Sequence, residues 1–494
     1  MTDAVIGIDS STTSTKAIAW NASGKIIAEG SIPIPMSTPQ LNHYEQNPDD
    51  WWYSCAGALK KVTKQINNNR IKAVAISNQR ETFVGLDNED NPVRPAIIWL
   101  DGRCKCMVDK LVGLIGEDHI HRITGKPKDY APVVYRLAWM KEKENKLFKK
   151  VSRFCDVHTY IVYKLTGEFG TSWASADPMG MFDLEKKIWS TDILEKLNIS
   201  PDQLPVAHSP GTIIGHVTKS AADQTGLKAG IPVIAGGGDG QAGGLGVNAL
   251  TGDRAYLNLG TAVVSGTYIE NYLVDKAFRT MASCSDKGYY CETSLRAGTF
   301  LIDWFIQKVL GLDPRKRDRI YDELNNEAGN IPIGAEGLMV LPYWNAVMNP
   351  WWDSDARGCM IGFLSGHHRG HIYRAILEGI AMEQAFATSL VESVTGTTIK
   401  EFAIIGGGAK NRLWRQIFAD ACNKTILTME TDEASSLGAG IAAAVGADWF
   451  PSFSDAAEKM VHIKEITEPL SENVEIFNEL LQKYIKIYPA VRSI

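Results

Sequence analysis

Residues 4–20 read AVIGIDSSTTSTKAIAW, and residues 255–266 read AYLNLGTAVVSG. In the first stretch the apolar run Ala4 to Ile8 meets a hydroxyl-filled turn from Asp9 to Thr15, and Lys16 to Trp20 resumes the apolar alternation. Strand-like runs on either side of a short polar turn predict a β-hairpin. Asn21 to Gly24 adds a second turn and so a third strand. The second stretch repeats the device, with an apolar run, a Gly260-Thr261 turn and then β-branched residues. A chain that restarts itself in this way is an internal duplication.

Outward from the first hairpin, Trp51 to Asn67 has helical spacing, with Trp51, Ala58, Leu59, Val62 and Ile66 on one side, and Ile71 to Ser77 is β-rich. Strand and helix in alternation predict an α/β layer architecture. Two more segments resemble each other: IPVIAGGGDGQAGGLG at 231–246 and FAIIGGGAKNRLWRQIF at 402–418. Each reads as a strand, three glycines and a helix start, so the two triplets are expected to be paired turns of one repeated unit. The expected organisation is two comparable lobes, residues 1–248 and 249–494, joined near Asn248 to Arg254. The tail from Glu468 to Tyr488 reads as helical and is expected to pack on the second lobe.

At about 150 residues per domain, 494 residues would suggest about three units, and the duplication lowers this to two. Lys plus Arg number 51 against 57 Asp plus Glu, a net charge of −6, with 45% apolar and 22% charged residues. That composition is globular. It supplies no broad positive field for nucleic acid or an anionic membrane, so small molecules are the expected partners. The cysteines at 55, 104, 106, 155, 284, 291, 359 and 422 are too scattered for a disulfide framework. Cys104 and Cys106 lack the second ligand pair of a zinc site, so reduced thiols are expected. The opening MTDAVIGIDSSTTS has neither a basic nor an apolar leader segment, and the most apolar stretch, Leu437 to Val445, is too short to span a bilayer. The cytoplasm is the expected compartment.

Four places have the composition of a chemical site. In DSSTTSTK at 9–16, an aspartate at a strand end is followed by hydroxyls, turn amides and a lysine. Such a set hydrogen-bonds phosphate oxygens and holds a hydrated cation, although a solvated hairpin turn has the same look. In GGGDGQ at 236–241, glycines allow close backbone approach and the helix start offers free amides. Asp239 there either caps the helix or accepts a proton from an attacking hydroxyl. Gly406 to Ala409 has no aspartate and suits a nucleoside floor. Neither a dinucleotide fingerprint nor a P-loop is present. Gln79-Arg80-Glu81-Thr82 and Trp99-Leu100-Asp101-Gly102-Arg103 each follow a strand, and their charges fit a polyhydroxy ligand or, more plainly, a surface ion pair beside a core tryptophan.

Taken together, DSSTTSTKA, SNQRETFVGLD, PAIIWLDGR, GGGDGQAGGLG, NLGTA, IIGGGAKNRLWRQIFAD and EASSLGAGIAA occur in an order that resembles the FGGY carbohydrate kinases, from about residue 4 to residue 450. The resemblance implies a two-lobed, duplicated actin-like (ribonuclease H-like) ATPase fold with an interdomain cleft, and ATP-dependent phosphorylation of a sugar or polyol. It implies Asp239 as general base and Asp9 as organiser of Mg2+. Ser11, Thr12, Thr13, Lys16, Gly260 and Thr261 would contact the ATP phosphates, and Gly407, Gly408, Ala409 and Asn411 the adenosine. Gln79, Arg80, Glu81, Trp99, Asp101 and Tyr130, with Asp239, would line the acceptor pocket. A homodimer is compatible with the resemblance. Where the family usually has Gly this chain has Ser11, and where it often has Arg this chain has Lys16, which gives up a bidentate fork.

The run Asn78-Gln79-Arg80-Glu81-Thr82 is similar to the glycerol kinases. The glycerol-contacting Tyr of that group would fall on Ala131, beside Tyr130, and a Gln after the base would fall on Gly240. Both departures are expected to make room, so the expected acceptor is a pentulose such as D-xylulose, with glycerol as the alternative. A regulatory or filament-forming ATPase of actin type is the rival from another class.

Overall fold

The computed structural model describes residues 3–313 and 317–493. The opening hairpins form as expected: β1 (Ala4–Ser10), β2 (Ser14–Trp20) and β3 (Ile26–Pro33) run antiparallel in sequence. Helix α1 (Pro48–Thr63) starts at Asn47, whose side chain accepts from the Asp49 amide. It leads into β4 (Ile71–Asn78), which pairs parallel with β1. β5 (Ile213–His216) and β6 (Pro232–Gly238) complete a sheet ordered β5-β6-β4-β1-β2-β3.

The second sheet begins with β7 (Arg254–Leu259), β8 (Val263–Ile269), β9 (Arg279–Ala282) and β10 (Tyr289–Leu295). β11 (Glu401–Ile405), β12 (Thr425–Met429) and β13 (Ile463–Thr467) give the order β9-β10-β8-β7-β11-β12-β13. The run β3-β2-β1-β4-β6 and the run β10-β8-β7-β11-β12 share one pattern, two antiparallel pairings followed by two parallel ones. This is the duplication expected from the hairpins.

The shared pattern also corrects the pairing of the glycine triplets. Gly236 to Gly238 end β6, whose counterpart is β12, while Gly406 to Gly408 follow β11, whose counterpart is β4. The first triplet is strand, and the second leaves its strand at Gly406, with φ +87°, into a tight turn over Gly407–Lys410. Short sequence likeness had matched two turns that occupy different places in the repeated sheet.

Alternate residues of β1 face two cores, as a central strand requires. Ala4, Ile6 and Ile8 pack with Trp51, Cys55 and Leu59 of α1, and Val5 packs with Leu437, Ile441 and Ala444. The latter belong to α5 (Ala434–Gly446), a helix numbered in the second half that covers the first sheet. It crosses α2 (Asp239–Gly246) with backbone on backbone: a Cβ on Gly438 would lie 1.8 Å from Ala242 O, and one on Gly246 1.9 Å from Ala434 O. Only glycine permits that approach.

In the second lobe, α3 (Arg369–Thr395) and α4 (Arg412–Cys422) pack on β7 and β11. Phe477 and Tyr484 of the tail helix α6 (Ser471–Tyr484) join the same core, as expected. All eight cysteines are free thiols. Among the described residues no helix is long and apolar enough to cross a membrane.

Candidate active site

The first hairpin turn is closed by Ser11, whose amide and Oγ donate to Ser14 O at 3.0 and 2.9 Å. Thr13 is exposed at its tip. Thr12 is anchored from the side: Gln46 Nε2 donates to its carbonyl at 2.6 Å, and Trp99 Nε1 to its Oγ1 at 2.8 Å. Trp99 is 41% exposed, so it is a bridge between the two loops and not the core residue its type suggests. Lys16 lies opposite Asp9 in the β1/β2 register and pairs with Glu433. In the second hairpin Gly260 N donates to Ala262 O at 3.1 Å, leaving Thr261 exposed. A Cβ on Gly406 would stand 2.5 Å from Asn258 Oδ1, so this turn and the second triplet are neighbours.

Asp9 ends β1, where Ser77 Oγ donates to its Oδ1 at 2.9 Å. Burial first, and then the charges of Asp239 and Glu433, push its carboxyl up to about 7 against Ser77 and Lys16. Asp239 is the first residue of α2, after the cap residue Gly238, so it is not the N-cap. Its Oδ1 accepts from Gly240 N at 2.8 Å and lies 3.1 Å from Arg80 Nε. Although its side chain is 42% open to the cleft, the surrounding protein raises its carboxyl above the ordinary range, and Arg80 offsets part of that rise.

The acceptor set is held by a buried charge network. Arg80 Nη1 donates to Glu292 Oε2 at 2.7 Å, and Arg279 Nη1 to Glu81 Oε1 at 2.9 Å. Tyr256 OH donates to Glu292 Oε2 at 2.7 Å. Burial alone would raise the Glu292 carboxyl, but Arg279 and Arg80 outweigh it and hold it at about 2. Removing one member of such a network costs about 3–5 kcal/mol, because it strands an unpaired charge. Arg80 also fills the space assigned to a missing Gln side chain: a Cβ on Gly240 would meet its guanidinium at 3.0 Å, and one on Gly238 its Cγ at 2.5 Å. Gly240 therefore makes room for Arg80 and not for a longer acceptor.

Not every expected acceptor residue offers a free group. Asp101 is fully buried, and its oxygens take Tyr44 N at 2.7 Å and Arg103 Nη2 at 2.7 Å. It fixes its loop from within. Tyr130 lies between Lys105, 4.7 Å from its ring, and Arg296, 4.6 Å away, where Arg296 also pairs with Asp129 at 2.7 Å. Gln79 is buried and its Nε2 donates to Gln46 Oε1 at 2.8 Å, whereas its Oε1 has no partner among the described residues. On the nucleoside side Gly407 faces open space, Gly408 is packed on Trp414 and Leu259, and Ala409 O accepts from Arg415 at 3.2 Å. Asn411 caps α4 through Trp414 N at 3.2 Å.

Sequence reasoning missed Gln46, Tyr256, Arg279, Glu292 and Glu433. Glu433 had a signal, as the head of EASSLGAGIAA, and Tyr256 lies inside AYLNLGTAVVSG.

Comparison with known proteins gives this geometry a family. Residues 4–246 match the FGGY family of carbohydrate kinases, N-terminal domain, and residues 255–447 match its C-terminal domain. The chain is 30% identical over 495 residues to a xylulose kinase of Bacillus subtilis (strain 168), covering 99% of this chain and 97% of that protein. It is 26% identical over 499 residues to a gluconokinase of the same organism, covering 99% and 96%. It shares its fold with the crystal structure of gluconate kinase from Lactobacillus acidophilus, with a TM-score of 0.93 and 24% identity over 99% of this chain and 98% of that one. Both halves of the duplicated fold match, and the chain belongs to the FGGY family of carbohydrate kinases, which use ATP as a substrate.

Proposed function

We propose that this carbohydrate kinase transfers the γ-phosphoryl group of ATP to a hydroxyl of a pentulose, D-xylulose being the named acceptor. The observation that carries the reading is Asp239, open to the cleft at the head of α2 with Arg80 Nε 3.1 Å away and Glu81 beside it in sequence. Asp239 accepts the proton of the attacking hydroxyl, Arg80 and Glu81 hold neighbouring hydroxyls, and Trp99 covers an apolar edge. Gln79 and Tyr130 support that pocket. Ser11, Thr12, Thr13 and Lys16 face the phosphates across the cleft from Gly260 and Thr261, while Gly407, Gly408, Ala409 and Asn411 floor the nucleoside. The acceptor part falls to residues 1–248 and the nucleoside part to 249–494, and the phosphates lie between one hairpin turn of each.

The donor set fits a divalent cation. Asp9 keeps Oδ2 free of hydrogen bonds within the described residues, and the carboxylates of Asp239 and Glu433 add negative charge near it. Mg2+ held there would neutralise charge on the phosphates. Positioning and charge stabilisation then supply most of the rate.

The pentulose assignment rests on kinship to the Bacillus subtilis xylulose kinase and on Ala131, since Gly240 no longer argues for space. Glycerol is the second reading, favoured by the Arg80-Glu81 pair. An ADP-release screen of the purified protein over triols, pentitols, pentuloses, hexuloses and aldonates tests both. Release dependent on D-xylulose is expected. Activity confined to glycerol or to an aldonate overturns the acceptor, and release that ignores every acceptor overturns the reading as a whole.

A further inference from the structure

Strand β9 pairs with β10 in the second sheet, yet it is bonded along its length to the first lobe. Thr280 N donates to Gly125 O at 2.8 Å, Thr280 O accepts from Lys126 Nζ, and Ala282 N donates to Asp177 Oδ2 at 2.9 Å. Lys126 and Asp177 are both buried and pair with each other. This docking fixes Arg279 at the end of β9. Its Nε donates to Glu292 Oε1 at 2.7 Å, and its Nη1 reaches Glu81.

Glu292 thus holds two arginines. One is Arg80, whose Nε faces Asp239, and the other is Arg279, whose fork ends on Glu81. Glu81 has φ +49°, a left-handed conformation that a non-glycine residue keeps only when its surroundings impose it. A planar guanidinium can bind two carboxylates at once, which an ammonium on a flexible stem does poorly. None of the hydrogen bonds described for Arg279 or Glu292 goes to the hairpin turns or to the second glycine triplet.

We propose that Arg279 and Glu292 are positioning residues for the acceptor: from the second lobe they fix the direction of Glu81 and Arg80, so the acceptor pocket is assembled only when β9 is docked on the first lobe. The inference rests on the acceptor-pocket reading above. It places acceptor selection partly in residues that never touch the acceptor.

Arg279→Gln and Arg279→Lys, made in the full chain, test this with D-xylulose and ATP as probes. Arg279→Gln is expected to raise the D-xylulose KM roughly tenfold to a hundredfold, with the ATP KM unchanged and Arg279→Lys falling in between. Because Arg279 acts through Glu81, the double variant Arg279→Gln/Glu81→Gln should be no worse than Glu81→Gln alone. Additive losses, equal rises in both KM values, or an unchanged D-xylulose KM would each overturn the inference. If Arg279→Gln does not fold, Arg279→Lys keeps the buried charge and carries the same comparison. Absence of acceptor-dependent ADP release in the unaltered protein would overturn the functional reading itself, whereas release with unaffected variants overturns only the inference.

Discussion

The two glycine triplets look like twins in the sequence and do different work in the fold. Gly236 to Gly238 stay in the strand, where β6 pairs with β4 through a register shift between Ile234 and Gly237, and the chain enters α2 at once with Asp239. Gly406 to Gly408 leave the strand through a left-handed residue and make a shallow turn whose middle glycine faces nothing within 4 Å. The partner of α2 is α5, which crosses it backbone to backbone and is headed by Glu433. Each lobe therefore sends one helix, with a carboxylate at its start, to the crossing between the sheets. Asp239 lies by Arg80 and the acceptor residues, and Glu433 pairs with Lys16 beside the phosphate turn. Duplication supplied the scaffold twice, and the charges at the two helix starts have different partners, Arg80 for Asp239 and Lys16 for Glu433, which under the proposed function separates proton transfer from phosphate handling.

The strongest way to break this division is at the two triplets themselves. Asp239→Asn should lower kcat by at least roughly 10²–10⁴-fold, as expected for a general base, while ATP still binds by calorimetry. Near-normal turnover would show that the first triplet leads to no catalytic group. Gly407→Leu, placed in open space where the fold tolerates it, should raise the ATP KM by about tenfold and leave the acceptor KM alone. A rise confined to the acceptor would erase the contrast. Gly238→Ala pushes on Arg80 Cγ and Cδ, so its acceptor KM should rise by roughly threefold to tenfold with the ATP KM unchanged.

The hairpins, α1 and the tail helix were legible because local alternation and helical spacing are short-range signals. The duplication was legible for the same reason. The pairing of the triplets was misread because three glycines carry no record of which neighbour their strand will have, and that is decided by strand order across the sheet. Asp239 and the two hairpin turns, the proposed base and phosphate contacts, stood out as motifs. Arg279 and Glu292 did not, because each is a single charge in a strand of otherwise ordinary alternation and their partners are remote in the chain. Gly240 and Asp101 show a further limit. A glycine reads as empty space until the Arg80 side chain is seen lying on it, and an aspartate reads as a ligand group until Arg103 and Tyr44 are seen to occupy it.

A further contrast separates the two hairpin turns by charge. Asp9 at the end of β1 is easier to protonate in the folded protein than in the unfolded chain, its carboxyl standing at about 7 instead of 3.8 through burial and the neighbouring Asp239. Such a group adds stability where it is protonated, so its contribution is full below pH 3.8 and is lost as pH rises through about 7. Each pKa unit corresponds to about 1.4 kcal/mol, and partial opening to the cleft reduces the total to the order of 2 kcal/mol. Asp9→Asn, uncharged throughout, should therefore gain thermal stability relative to the unaltered protein between pH 4 and 7, measured without nucleotide or metal. Mg2+ added at pH 7.5 should raise the Tm of the unaltered protein and not that of Asp9→Asn. Thr261→Ala, in the turn that has no carboxylate, should leave the pH dependence unchanged. Parallel pH curves for Asp9→Asn and the unaltered protein would mean that the two turns do not differ in charge handling, and the asymmetry between the lobes would then rest on Asp239 alone.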